Sequence, residues 1–318
     1  MSSHGVGTRN NQPMTSSSKR IVVAINPQAA FGRGRDIGPA VVTTLRALGH
    51  EVTSLTEPDF AQLLEATRDA IRDKPDALVV VGGDGMINLG VTAVEGTRVP
   101  LGVVPSGTGN DMARGLGIPI DDTEAAITAL ADALQRPARV IDAGVISFGE
   151  GAEPRQRRRF GSILSAGFDA LVNERANNMR QPRGRSRYTI ALLVELAKLR
   201  PIEYTLTLDG VVHRERALLV AVANNLSFGG GMKVAPDAQL DDGLFDVVLV
   251  RPLGRLAFLR IYPRVFAGTH ITDPRVVVHR AASVRVEAQG VVAYADGERV
   301  APLPVDIEMD AGSLRVLA

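Results

Sequence analysis

The sequence predicts an α/β domain with a parallel sheet, followed by a mainly β sandwich domain. From residue 20 to about residue 144, short β-branched runs alternate with helical patterns, as in a parallel sheet with crossover helices. Beyond residue 144 the pattern changes to Val-, Ile- and Leu-rich runs separated by turn residues, which is typical of sandwich strands. The chain has 318 residues, 45% of them hydrophobic, which favours two cores. We therefore place the domains at residues 19–144 and 145–318.

The first domain is predicted to alternate strand and helix throughout, because each β-branched run is followed by apolar residues at helical spacing. The predicted strands are Ile21–Ile25, Glu51–Leu55, Ala77–Val81 and Leu101–Val104. The predicted helices are Gly38–Leu48, Phe60–Arg72, Met86–Val94, Asn110–Gly115 and Thr123–Leu134. The strand Ala77–Val81 is continuously apolar, which favours burial on both faces of the sheet.

The second domain is predicted to be mostly strands, with two helical insertions. The strand candidates are Arg159–Ala166, Ile202–Leu208, Arg216–Ala223, Leu244–Val250, Ser283–Ala288 and Val305–Asp310. Tyr188–Arg200 and Pro252–Ala267 carry apolar residues at near-helical spacing. The last strands are candidates to return to the first domain.

Composition limits the classes of partner. Residues 1–18 are rich in Ser, Asn and Gly, so we expect a disordered tail and no secretory signal. No run approaches the roughly 18 apolar residues that span a bilayer, so a lipid substrate would be met from the water side by a peripheral protein. The net charge of +1 provides no global attraction to nucleic acid. The absence of cysteine agrees with a cytoplasmic location.

A first glycine-rich loop follows the buried strand that ends at Val81. Its residues are Gly82, Gly83, Asp84 and Gly85, followed by Met86, Ile87 and Asn88. Glycine allows backbone N–H groups to approach a polyphosphate closely. Asp84 could then hold Mg²⁺ through water, because magnesium prefers carboxylate and phosphate oxygens. The alternative is a tight strand-to-helix turn in which Asp84 is only a cap.

A second loop of the same kind, Pro105–Arg114, follows the next strand. Because ligands bind beyond the carboxyl ends of parallel strands, the two loops are expected to face one pocket. Thr108 and Asn110 can bind phosphate, and Asp111 can serve a metal or orient a proton acceptor. A helix N-cap is the alternative role for Asn110 and Asp111.

Other phosphate-binding motifs are absent or weak. No Gly-Lys-Ser or Gly-Lys-Thr occurs, so neither loop is a Walker P-loop. The segment Gly32–Gly38 resembles a dinucleotide fingerprint only weakly, because its final glycine is one residue too far along. This basic loop could instead lie beside the nucleotide.

The two loops, taken together, resemble the catalytic domain of bacterial diacylglycerol kinases, and the resemblance covers nearly everything after the tail. Further matching segments are Asn26-Pro27, Gly167-Phe168-Asp169, Gly229–Gly231, Ala235–Ala238, Asp242–Asp246 and Asp296-Gly297-Glu298. The stretch from Gly167 to Pro201 is similar to the actinobacterial branch in particular. The resemblance implies an NAD-kinase-like α/β domain, with ATP in the cleft between it and the β-sandwich.

The resemblance also implies roles for individual residues. ATP contacts are expected at Asn26, Thr56, Gly82, Gly83, Asp84, Gly85, Met86, Ile87, Asn88, Leu89, Ser106, Gly107, Thr108 and Asn110. Glu298 matches the proton acceptor, although without the resemblance the alternative of a turn carboxylate would be favoured. From the residues themselves, we expect Asp84 and Asp111 to organise the catalytic Mg²⁺. A structural Mg²⁺ would lie at Asp242, with carbonyl ligands from Gln239 and Leu244. Met86 and Leu89 depart from the family pattern, which has threonine and glutamate there.

The predicted reaction is transfer of the γ-phosphate of MgATP to diacylglycerol, which gives phosphatidic acid. Monoacylglycerol, ceramide or a sphingoid base are alternative acceptors, and an NAD kinase, a dinucleotide-binding oxidoreductase or a nucleotide sensor are more distant alternatives. The basic clusters Arg155–Arg159 and Arg175–Arg187 are either solvated loops or contacts with anionic headgroups at the inner membrane face. A homodimer is expected by analogy alone.

Overall fold

The computed structural model describes residues 18–26, 36–149, 155–179 and 185–318, without the side chains of 177 and 185–189. The predicted tail up to residue 17, the basic loop 27–35 and the arginine-rich segment 180–184 therefore lie outside the described residues, as do the side chains at 185 and 187. Asn26, Thr56 and both glycine-rich loops lie within them.

The first domain is an α/β layer whose elements agree with the sequence pattern. Its strands are β1 (Arg20–Ile25), β2 (Glu51–Leu55), β3 (Ala77–Gly82) and β4 (Leu101–Pro105). They pair in parallel in the order β2-β1-β3-β4. The helices are α1 (Ile37–Ala47), α2 (Phe60–Arg72), α3 (Asp84–Ala93), α4 (Asp111–Gly115) and α5 (Thr123–Ala133). Every residue of β3 is buried, as its continuous apolar run predicts.

The second domain is a sandwich of mainly antiparallel strands, which confirms the predicted fold class. The strands that follow are β5 (Arg139–Phe148), β6 (Gln156–Phe160), β7 (Ile163–Gly167), β8 (Ile202–Leu208), β9 (Val211–Ala217), β10 (Leu219–Ala223), β11 (Phe245–Val250), β12 (Val276–Ala281), β13 (Ser283–Glu287), β14 (Val292–Ala295), β15 (Glu298–Pro302) and β16 (Val305–Leu317). One sheet has the order β12-β11-β10-β7-β14-β15. Its partner contains β16, β13, β8 and β9, with β5 and β6 branching from β16.

The last strand connects the two domains. Val316 and Leu317 of β16 pair in parallel with Leu101 and Gly102 of β4. The earlier part of β16 pairs antiparallel with β5 and β13. One sheet therefore runs from the first domain into the sandwich, and β16 extends well beyond the predicted Val305–Asp310.

A helical layer covers the outer face of the six-stranded sheet. It consists of α6 (Phe168–Asn178), α7 (Arg185–Ala197) and α8 (Arg255–Ala267). Phe168 and Phe258 meet edge to face with their ring centroids 4.9 Å apart, which joins α6 to α8. Within the described residues, no helix is both long and apolar enough to cross a membrane.

Two strand predictions are wrong in a way that has a physical cause. Arg159–Ala166 is not one strand, because β6 ends at Phe160 and β7 begins at Ile163. The amides of Gly161 and Ser162 between them donate to the carboxylate of Asp296 instead of to a neighbouring strand. Arg216–Ala223 is likewise divided at Leu218, whose N–H donates to the carbonyl of Val250.

Candidate active site

The two glycine-rich loops meet at the carboxyl edge of the first sheet. Gly82 at the end of β3 pairs with Pro105 at the end of β4, and the N–H of Ser106 donates to the Gly82 carbonyl at 2.9 Å. Beyond this point the chains touch backbone to backbone, because a Cβ on Gly107 would collide with the Cα of Gly83. The predicted convergence of the two loops is therefore observed, and only glycine permits this approach.

Asp84 fixes the second loop to the first. As the first residue of α3, it accepts hydrogen bonds from the N–H of Asn110 at 3.0 Å and of Asp111 at 2.8 Å. Burial raises the pKa of the Asp84 carboxyl to about 6, with a further contribution from the negative charge of Asp111. Asp84 therefore acts as a bridge between loops, whatever else it binds.

Asn110 closes the second loop on itself. Its backbone has a φ of 54°, a left-handed conformation that asparagine tolerates better than most residues. Its side chain accepts from the Gly107 N–H at 3.0 Å and donates to the Gly107 carbonyl at 2.9 Å. This short ring leaves Thr108 exposed at the tip of the loop.

Asp111 joins the first domain to the second. The carboxylate is buried and accepts from the N–H groups of Gly230 and Gly231, both at 2.8 Å. The hydroxyl of Ser227 donates to it at 3.2 Å, and the Asn225 amide donates to the Asp111 carbonyl at 2.9 Å. Sequence reasoning did not assign Asn225 or Ser227 to the site, since neither belongs to a recognisable chemical motif.

Asp296 makes the corresponding contact from the second domain. Its carboxylate accepts from the N–H groups of Gly161, Ser162 and Ile163 at 2.8, 2.9 and 3.2 Å. The side-chain amide of Asn88 on α3 donates to it at 3.4 Å. Burial raises the pKa of the Asp296 carboxyl. The β14–β15 hairpin is thereby held against the first glycine-rich loop.

Glu298 lies on the open side of the same hairpin. It is the first residue of β15 and is exposed. The next residue, Arg299, pairs with Glu174 of α6 at 3.8 Å. Glu298, the predicted proton acceptor, is thus an exposed residue two positions after Asp296.

Arg158 is a cation in the cleft that sequence reasoning left in an unassigned basic cluster. Its guanidinium donates to the Arg299 carbonyl at 3.0 Å and to the side-chain oxygen of Asn88 at 3.5 Å. It therefore lies between the first glycine-rich loop and the strand that carries Glu298. Because three arginines follow one another in the sequence, the sequence alone does not show which one faces the cleft. The register of the sheet decides this.

The remaining predicted nucleotide contacts divide into two groups. Asn26 and Thr56 follow β1 and β2 at the same edge as the loops, and Thr56 is exposed. In contrast, Met86, Ile87 and Leu89 are buried in the core of the first domain. Their side chains pack inward from α3, which leaves only their backbone to face a ligand.

Among the described residues, no cluster of three or more His, Asp or Glu side chains could hold a metal ion, so a divalent cation would need backbone, water or phosphate oxygens at each of the two predicted places. At Asp84, the nearby charges of Asp111 and Asp296 favour protonation, and a cation would relieve that repulsion. At the second place, Asp242 with the carbonyls of Gln239 and Leu244 would be an all-oxygen donor set, which suits magnesium in kind. The Asp242 carboxylate already accepts from the Leu244 N–H at 3.1 Å and pairs with Arg280, so a cation there would compete with the guanidinium.

Comparison with known proteins agrees with this arrangement. The diacylglycerol kinase catalytic domain model matches residues 20–143, and the YegS C-terminal NAD kinase beta sandwich-like domain model matches residues 162–318. A diacylglycerol kinase of Mycobacterium tuberculosis is 36% identical over 94% of both chains. The chain belongs to the diacylglycerol kinase family. A second member, the diacylglycerol kinase of Bacillus subtilis, is 28% identical over 90% of this chain and 92% of its own.

Solved structures of low identity share the fold of this family member. The crystal structure of a diacylglycerol kinase from Bacillus anthracis has a TM-score of 0.70 at 20% identity, over 95% of this chain and 97% of that chain. A yeast NADH kinase complexed with NADH has a TM-score of 0.55 at 12% identity, over 94% and 82% of the two chains. The NAD-kinase-like fold expected from the resemblance is therefore confirmed.

Proposed function

We propose that this chain is an ATP-dependent lipid kinase that phosphorylates the hydroxyl of diacylglycerol to give phosphatidic acid. One observation carries the proposal: hydrogen bonds to the carboxylates of Asp84, Asp111 and Asp296 hold the two glycine-rich loops and the Asp-Gly-Glu hairpin next to one another. The family assignment and the names of the relatives support the lipid acceptor. A peripheral location at the inner membrane face, where diacylglycerol is found, follows from the same proposal.

The first glycine-rich loop is suited to hold the phosphates. It leads directly into α3, whose free N–H groups and helix dipole favour an anion at the N-terminus. Gly85 keeps the approach open, because a Cβ there would have no protein atom within 4 Å, whereas the missing Cβ of Gly83 makes room for the second loop. Because the phosphates would be bound by backbone N–H groups, this binding does not depend on the threonine and glutamate of the family pattern, which are Met86 and Leu89 here.

The acceptor hydroxyl would be activated at Glu298. In the proposed step, the acceptor oxygen bonds to the γ-phosphorus, its proton passes to the Glu298 carboxylate, and the bond to the ADP oxygen breaks. Arg158 lies where it can offset charge on the transferring group. A bound divalent cation, held by Asp84 through water, would supply further positive charge at the phosphates.

The test is transfer of labelled γ-phosphate from MgATP to diacylglycerol, monoacylglycerol, ceramide, sphingosine or NAD, each offered alone. The proposal predicts labelled phosphatidic acid, and no label when magnesium is chelated. Label on another lipid alone would replace the acceptor and retain the kinase. Label on NAD alone, or on no acceptor at all, would contradict the proposal.

A further inference from the structure

An exposed apolar stripe on α8 plays no part in the cleft. Leu256, Leu259 and Phe266 are exposed to 77%, 48% and 48%. Together with Pro263 they recur at spacings of three, four and three, which places them within an arc of about 100° on the helix. The opposite face is buried through Phe258 and Ile261. α8 therefore has two apolar faces, and the fold covers one of them.

α7 carries a similar row of exposed apolar residues. Ile190 and Leu193 are exposed to 40% and 55%, and Ala197 follows at the same helical spacing and is also exposed. The guanidinium of Arg255 donates to the Ala197 carbonyl at 2.6 Å, so the end of α7 lies at the beginning of α8. We name this surface the α7–α8 stripe, with members Ile190, Leu193, Ala197, Leu256, Leu259, Pro263 and Phe266.

The charges around the stripe are basic. α8 contains Arg255, Arg260 and Arg264 and no acidic residue. Helical spacing places Arg255 on one flank of the stripe and the other two on the opposite flank. The charge of Glu195 on α7 is turned away, since that side chain is buried and paired with Arg175. An apolar stripe with a basic rim complements an anionic bilayer surface, whereas it would repel a second copy of itself.

The helical layer that carries the stripe reaches the cleft at two points. Glu174 of α6 pairs with Arg299, next to Glu298. At the end of α8, the Val265 carbonyl accepts from the Lys233 N–H at 3.0 Å, two residues after the Gly231 that binds Asp111. The helical layer therefore borders the cleft, and the stripe lies on a different face of α8 from Val265.

We propose that the α7–α8 stripe docks this kinase on an anionic bilayer. Its leucines and phenylalanine enter the boundary between headgroups and acyl chains, while the flanking arginines contact lipid phosphates. The inference rests on the proposed function in that it takes a membrane lipid as the acceptor. In this proposal the membrane contact lies on helices of the second domain and uses both inserted apolar side chains and basic side chains.

The test compares two double variants of matched chemistry in the full chain. Leu259→Asp with Phe266→Asp alters the stripe, whereas Leu48→Asp with Phe60→Asp alters first-domain side chains that are 48% and 46% exposed. Binding to vesicles of equal parts phosphatidylglycerol and phosphatidylcholine is measured by sedimentation. We expect the stripe variant to bind at least about tenfold more weakly than wild type, and the control variant to bind as wild type.

Turnover of a short-chain, water-soluble diacylglycerol separates docking from catalysis, and both variants should retain it. If the protein bound vesicles through the stripe but phosphorylated no lipid, the proposed function would be wrong while the docking proposal would still hold. The docking proposal would be overturned if vesicle binding weakened equally in both variants or in neither. It would also be overturned if the wild type bound vesicles of phosphatidylcholine alone equally tightly. A stripe variant that turns a dimer into a monomer in sedimentation velocity while vesicle binding persists would overturn it as well.

Discussion

The floor of the cleft and its rim use charged side chains in opposite ways. On the floor, the carboxylates of Asp84, Asp111 and Asp296 each accept at least two backbone N–H groups. On the rim, Glu298 is exposed, and the Arg158 guanidinium makes one hydrogen bond of 3.0 Å and one longer contact of 3.5 Å. The side chains of the floor hold the loops and domains in position, whereas the side chains of the rim have few bonds within the protein and can contact a substrate.

This difference shows that a conspicuous motif does not by itself reveal which of its residues react. Asp296 and Glu298 are two residues apart in one Asp-Gly-Glu, yet the Asp296 carboxylate accepts three backbone N–H groups and Glu298 is exposed. Carboxylates bound by several N–H groups are costly to remove, because the donors are left buried without acceptors. Mutations on the floor should therefore act on stability, and mutations on the rim on turnover.

The largest expected effect is on the floor, at Asp111. Asp111→Ala removes the acceptor for Gly230, Gly231 and Ser227 and should lower the free energy of unfolding by about 3 kcal/mol or more. Guanidinium denaturation measures this, with Asp121→Ala as an exposed control. A loss below about 1 kcal/mol would show that Asp111 does not hold the domains together.

Asp169 on α6 differs from the floor aspartates, because its carboxylate oxygens are buried but accept no backbone N–H of the described residues in good geometry. Neither oxygen has a hydrogen-bond partner in good geometry among the described residues, and burial raises its pKa to about 6. The folded state then binds a proton that the unfolded state releases, so stability is fully present below about pH 4 and falls as pH rises towards 6.

The expected loss from Asp169 is at most about 3 kcal/mol between about pH 4 and 7. Asp169→Asn should remove this component, which is measured as the difference between the wild-type and variant stability curves over that range. Parallel curves would mean that Asp169 ionises without penalty.

On the rim, Arg158→Ala should lower kcat by about 10²-fold with little change in stability, because a positive charge near the transferring group is lost. Arg157→Ala is the matched control, since Arg157 is exposed on the same strand and neighbouring residues of a strand point to opposite faces. Equal effects of the two substitutions would remove Arg158 from the cleft chemistry.

The smallest effect is expected at Met86. Met86→Thr restores the family residue, but Met86 is buried against the core and Gly82 lies against its side chain. Turnover should stay within about twofold of wild type while stability falls by about 1–3 kcal/mol. A large gain in kcat would show that a hydroxyl at this position reaches the nucleotide.

The sequence predicted the first domain closely, because each of its elements has a local signal. Apolar runs and helical spacing located β1 to β4 and α1 to α5 within two residues, and parallel pairing brought the two loops together. The missed features depend on distant partners. α6 has few apolar residues and is stabilised by packing on α7 and α8. The break between β6 and β7 is set by Asp296, more than a hundred residues later.

The cleft was predictable to a similar degree. Both loops could be located from their motifs, and Glu298 was assigned only through the family resemblance. The position of Arg158 depends on which of three adjacent arginines the β5–β6 register turns towards α3. The interdomain contacts of Asp111 could not be predicted from the sequence either. Gly230 contributes a backbone amide and Ser227 a hydroxyl, and only the fold brings these groups within hydrogen-bond distance.

The most direct test of this division between floor and rim is kcat of Glu298→Gln with MgATP and diacylglycerol, measured beside its melting temperature. Because a general base contributes about 10²- to 10⁴-fold, we predict a fall in kcat of that size with unchanged melting temperature and MgATP affinity. Wild-type turnover in Glu298→Gln, or a fall in turnover that follows a fall in melting temperature, would contradict the account.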